Sequence, residues 1–132
     1  MKRIRIVALL VGLAADLIGT LLFSLALSVV IVMRHAHTGE RPEVMLQKLT
    51  GDVPFMLVGY VGGMAFTLLG AYITARLSKP DCILNTFLFG LICTLGAFLF
   101  TSINPLWYTV LCVLTMLPVS LIPGYLLQPK TV

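Results

Sequence analysis

Apolar residues in this chain gather into four long runs, 6–33, 55–77, 82–101 and 106–127, and charge, proline and glycine collect between them. Each run is long enough to cross a hydrocarbon layer of about 30 Å, which takes ~20 helical residues. Backbone groups in lipid must pair within their own segment, so the pattern predicts four transmembrane α-helices. The first, at 1.5 Å per residue about 42 Å long, must tilt or protrude. The connections 78–81 and 102–105 are so short that helices two, three and four must be antiparallel neighbours. Only 34–54 forms a sizeable loop. Within it Pro42 opens a stretch with Val44, Met45, Leu46 and Leu49 apolar and Glu43, Gln47 and Lys48 polar. That predicts a short helix on the outer membrane surface, before Gly51 and Pro54 return the chain to the bilayer. The expected fold is therefore all-α, a polytopic antiparallel four-helix bundle with a short outer interfacial helix.

A second pattern lies inside the runs. Gly59, Gly63, Thr67, Ala71 and Ala75 form a row of small residues at every fourth position of the second helix. The first helix carries Gly12, Asp16, Thr20, Ser24 and Ser28 at the same spacing, and the third carries Thr86, Gly90 and Thr94. Lipid tails are as apolar as Leu, so membrane helices associate through small residues, close backbone approach and hydrogen bonds. The rows read first as helix packing within one chain, with Gly12, Gly59, Gly63, Ala71 and Gly90 at the contacts. A dimer face or a cavity lining is the alternative.

Composition agrees. Of the residues 59% are hydrophobic and 11% charged, with mean hydropathy +1.05; soluble proteins carry about 25% charged residues. The net charge of +4 does not imply nucleic acid, because the basic residues flank the apolar runs, where they anchor helices at the membrane surface. Lys2, Arg3, Arg5, Arg76, Lys79 and Lys130 fall on one side, against Arg34, Arg41 and Lys48 on the other. The positive-inside rule then places both termini in the cytoplasm, with Trp107 and Tyr108 at the outer interface and Tyr125 near the inner one. The basic start also resembles a signal peptide, but its apolar run is far longer than the 7–15 residues of such a segment. It reads as an uncleaved first helix. Three cysteines without a CxxC pair favour neither a disulfide set nor a zinc site. His35 and His37, with Glu40 and Glu43, lack the fixed context a metal site needs, so no metal is expected.

Asp16 is the only acid inside the four runs. A carboxyl at such depth costs roughly 2.5–3.5 kcal/mol on insertion scales, and something in the fold or the function must offset that. One reading is a neutral, hydrogen-bonded structural carboxyl; the other is a proton or cation site, the default for an intramembrane acid. A third, pairing with Arg76, competes with that residue's access to water at the membrane edge. Counting from the cytoplasmic ends sets Asp16, Thr67, Thr94 and Pro118 in one layer. Pro118 and Pro123 leave the carbonyls of Leu114 and Val119 without their usual donors, and a protonated Asp16 would donate to such a carbonyl or to Thr67. The candidate site is Asp16 with Thr20 and Thr67.

The run Ala15-Asp16-Leu17-Ile18-Gly19-Thr20 resembles the first-helix motif of the small multidrug resistance transporters. That family has four helices and uses a membrane glutamate, followed after two residues by Gly-Thr, to exchange protons for cationic drugs; the resemblance implies Asp16 in the glutamate's place. It covers about seven residues. The acid is shorter, that family's later lysine is absent from the first helix, and its tryptophan signature is absent from the third. Over most of the chain the sequence is similar to four-helix bacterial inner-membrane proteins of no assigned activity. The shared features are Asp-x-x-Gly-Thr in helix one, Leu69-Gly70-Ala71-Tyr72-Ile73-Thr74-Ala75-Arg76 closing helix two, and Pro105-Leu106-Trp107 opening helix four.

No nucleophile–base pair, phosphate loop or Gly-x-Ser-x-Gly elbow occurs, so an enzyme is not expected, nor a cofactor. The sequence reads as a structural or accessory membrane component. The alternative is a small oligomeric proton-coupled transporter or channel using Asp16. The partners expected are the lipid bilayer and a homo-oligomer or another membrane protein, and not nucleic acid.

Overall fold

The computed structural model describes residues 4–35, 41, 43–44, 52–99 and 105–129. They form an all-α bundle of four helices: α1 Ile6–His35, α2 Val53–Leu77, α3 Cys82–Leu99 and α4 Leu106–Leu127. The surface helix expected after Pro42 lies outside the described residues except for Arg41, Glu43 and Val44, and the His35–His37 stretch falls outside them for its side chains.

Local chemistry fixes the ends. Asp52, in extended backbone, precedes α2, and Pro54 sits in its first turn, where a missing N–H costs nothing. The Ser78 N–H closes α2 on the carbonyls of Thr74 and Ala75. Asp81 N–H then bonds Ser78 O at 2.8 Å, and Asn85 Nδ2 donates back to Asp81 O at 2.8 Å, so the chain reverses within four residues. Pro105 precedes α4, which carries Pro118 and Pro123 in its interior.

All four helices are long and apolar enough to cross a membrane, and between 17% and 33% of each span is buried within the bundle. The outward faces carry Leu10, Leu21 and Leu25 of α1 and Leu95 and Leu99 of α3, all exposed. A surface this apolar suits lipid and not water.

The helices pack unevenly. α1 lies along α2 and α3 along α4; α2 also meets α3 and α4, while α1 touches α3 only lightly. Along its length the bundle has two different halves. The lower half, where α1 begins and α4 ends, is closed. Phe89 and Ala71 are fully buried there with Leu9, and Leu13, Leu88 and Cys93 pack around them. Gly12 of α1 lies directly against Gly70 and Thr74 of α2, and an added Cβ at either glycine would come within 2.7 Å of the other's carbonyl oxygen. On the opposite side of the bundle Gly90 faces Ser120, and Gly124 faces Thr86.

The buried hydroxyls of this half bond to carbonyls and not to one another. Thr74 donates to Gly70 O at 2.9 Å, Thr86 to Cys82 O at 3.0 Å, Thr94 to Gly90 O at 2.8 Å and Ser120 to Leu117 O at 2.8 Å. Among the described residues no buried side-chain N or O atom lacks a partner. Such groups lower the penalty of polarity in a dry interior, and they link into no polar chain through it.

Candidate functional site

The upper half of the bundle is hollow. A cleft of about 700 Å³ lies between the four helices, within the 300–1,000 Å³ range of small-molecule sites. Its existence follows from how α1 and α2 meet above the Gly12–Gly70 crossing. Phe23 of α1 occupies the notch at Gly62 of α2, and Phe66 of α2 occupies the notch at Gly19 of α1, the two rings 6.2 Å apart. Each helix thus offers a glycine and, four residues later, a phenylalanine, and the two pairs interlock in reverse. This contact lies to one side of the small-residue rows, so the upper parts of those rows face the hollow.

Gly59 and Gly63 were expected at a close helix contact, and that is corrected here: nothing lies within 4 Å of a Cβ built at either, and both line the cleft. Gly12 and Gly90 do sit against neighbouring helices, and Ala71 is fully buried. The same spacing therefore serves two purposes. Below Asp16 and Thr67 the rows close the bundle; above them Thr20, Ser24 and Ser28 of α1 face Gly59 and Gly63 of α2 across open space. The Ser28 hydroxyl donates to Ser24 O at 2.8 Å and keeps its lone pairs for the cleft.

Asp16 forms the floor. It is 9% exposed, and both oxygens accept hydrogen bonds, Oδ1 from Thr67 Oγ1 at 3.2 Å and Oδ2 from Cys93 Sγ at 3.6 Å. The depth count matched Asp16 with Thr67 correctly. On α3 the Thr94 hydroxyl is taken by Gly90 O, while Cys93, 100° away around the helix, points at the carboxylate. Thr67 donates to Asp16 rather than accepting from it. Pro118 is exposed, and Arg76 is exposed in the last turn of α2.

The far wall belongs to α2 and α4. Tyr60 OH donates to Thr115 Oγ1 at 2.9 Å, and its ring stands edge-on to Tyr108 at 6.4 Å. Thr115 in turn donates to Leu111 O at 2.7 Å, so this hydrogen-bonded pair ties the two helices together beside the cleft. Leu17 of α1 and Ile92 of α3 line the cleft and are 61% and 42% exposed, which marks the lightly packed α1–α3 edge as its lateral opening.

The arrangement provides one carboxylate at the base of a largely apolar cavity, with a ladder of hydroxyls rising from it on α1. Among the described residues no lysine, arginine or histidine lines the cavity, and a cation or a proton supplied from outside would serve as counter-charge. Among the described residues no group of three or more His, Cys, Asp or Glu side chains is placed to hold a metal ion. Comparison with family models, with curated proteins and with solved structures returns no match, so any activity must be argued from this geometry.

Proposed function

We propose that the protein is a small proton-coupled carrier or channel of a bacterial inner membrane, its termini cytoplasmic, with Asp16 as its proton or cation site and Thr20 and Thr67 beside it. One observation carries this reading: the only carboxylate in the four spans lies at the floor of a ligand-sized cleft instead of in the packed half of the bundle. An intramembrane acid facing a cavity is the usual mark of an ion or proton path. The lateral opening along α1–α3 favours an oligomer, in which a second copy or a partner membrane protein walls off that edge.

A second reading has its own support. Asp16 ties α1 to both α2 and α3 through Thr67 and Cys93, which is what a structural or accessory component needs from a buried carboxyl.

Proton flux separates the two. The protein is reconstituted into liposomes containing a pH-sensitive dye, and a pH step is imposed across the membrane. The carrier reading predicts flux above that of empty liposomes, and Asp16→Asn should return it to baseline while leaving the helical circular dichroism unchanged. Asn keeps the size and one acceptor oxygen for Thr67 but cannot release a proton. Unchanged flux in Asp16→Asn, or a parent protein no leakier than empty liposomes, would favour the structural reading.

A further inference from the structure

Sulfur is concentrated in the cleft. Of six methionines and three cysteines in the chain, Met56, Met64, Met116, Cys93 and Cys112 line the cleft. Three of these stand near the floor on three different helices. Cys93 Sγ of α3 is 3.6 Å from Asp16 Oδ2. Met64 of α2 is one turn above Thr67, and its Sδ lies 3.8 Å from Thr115 Oγ1 of α4. Met116 follows Thr115 directly. The α3–α4 packing sets Gly90 against Leu117 and Ser120, and because the two helices are antiparallel, one turn up α3 Cys93 comes level with the stretch of α4 that holds Met116. Met64, Cys93 and Met116, on three different helices, thus line the same cleft as Asp16 of the fourth, beside it or about one turn above it.

We propose that the floor of the cleft binds a soft monovalent cation, cuprous copper in chemical class, through the Cys93 sulfur and the Met64 and Met116 thioethers, with the Cys93 thiolate as its counter-charge and Asp16 as the base that relays the Cys93 proton. This rests on the carrier reading and names the class of ion it would move. Thiolate and thioether donors select Cu(I) over harder ions. Magnesium and calcium require a shell of oxygen donors, which one carboxylate and one threonine hydroxyl do not provide. Binding involves no change in oxidation state. A sulfur lone pair forms the bond to the ion, the Cys93 S–H bond breaks, and its proton passes to Asp16 Oδ2 and on to water in the cleft. One monovalent cation enters and one proton leaves, so the exchange is electrically neutral.

Silver(I) is the probe, since it shares the preference for sulfur and is not reduced or oxidised in the experiment. The full chain, purified in detergent in chloride-free buffer, is titrated calorimetrically in two buffers of different ionisation enthalpy. The proposal expects one strongly bound silver ion per chain and about one proton released. Cys93→Ser should weaken binding by more than the ~10-fold typical of losing an outer-shell partner, and Asp16→Asn by about that factor. Met64→Leu and Met116→Leu, near-isosteric changes that keep the fold, should each weaken it too, while Cys82→Ser should not. The proposal fails if the parent binds no silver. It also fails if both methionine variants bind as the parent does, because a lone thiol is then the ligand and the methionines merely fill the cavity. Proton flux measured without silver keeps the two readings apart. Flux that depends on Asp16 with no silver binding removes the ion class and leaves the carrier; silver binding with no flux leaves a binding site without transport.

Discussion

Gly70→Ala, the addition of one methyl group, should lower the resistance of the bundle to unfolding by about 1–3 kcal/mol, the usual cost of overpacking a tight contact. The new Cβ would lie 2.7 Å from the Gly12 carbonyl oxygen, 2.9 Å from Phe89 Cζ and 3.1 Å from Asp16 Cβ. The first of these is backbone and cannot swing aside, so α1 and α2 must separate. Phe89 and Leu9, which pack in the same closed half, lose contact as they do. Gly12→Ala should behave alike, since its Cβ would meet Thr74 and the Gly70 carbonyl. Gly63→Ala is the control. It adds the same atom to open space and should be neutral, or stabilising by the roughly 0.5–1 kcal/mol that alanine gains over glycine in a helix. Unfolding in a denaturing detergent, followed by circular dichroism, gives the comparison. Equal stabilities for Gly70→Ala and Gly63→Ala would mean that the two halves of the bundle are packed alike.

Gly63→Leu should have the second large effect, on transport and not on folding. A leucine at this position extends into the cleft one turn above Thr67, between the ladder on α1 and the Tyr60–Thr115 wall. A Leu side chain fills only a minor part of a 700 Å³ space, but it does so directly above the floor and without touching the closed half. Proton flux in liposomes should fall toward the empty-liposome baseline while the unfolding midpoint stays close to that of the parent. A folded Gly63→Leu protein with full flux would show that the path does not run through the cleft. Gly63→Leu that fails to fold would show that the row is a packing face after all.

These two predictions differ because the same sequence motif lies in two environments, and that difference was only half legible in the chain. The four spans were readable because long apolar runs admit no other structure in lipid. The pairing of Asp16 with Thr67 was readable because both lie the same number of residues from the membrane edge. Spacing also identified correctly that Gly59, Gly63, Thr67, Ala71 and Ala75 share a face. It could not reveal that α1 packs on α2 beside that face, against Gly62, Phe66, Gly70 and Thr74. The upper contact is set by Phe23 in the Gly62 notch and Phe66 in the Gly19 notch. A sequence signal for it existed: Gly19-x-x-x-Phe23 and Gly62-x-x-x-Phe66 are matching pairs on consecutive antiparallel helices. Depth counting fixes height along a helix and says nothing of rotation, so the thiol that contacts the carboxylate was invisible to it.

If the cleft is the route to Asp16, the carboxylate is reached from one end of the bundle and closed off from the other. Cys93, 3.6 Å from the carboxylate, is the natural reporter. In a variant that retains it and carries Cys82→Ser and Cys112→Ser, a small membrane-impermeant thiol reagent is applied to each side of oriented vesicles in turn. Reaction should occur only from the side where α1 ends and α2 begins, the outer side in the proposed orientation, and adding Gly63→Leu should suppress it. Reaction from the side of the α2–α3 turn, or equal labelling with and without Gly63→Leu, would contradict it.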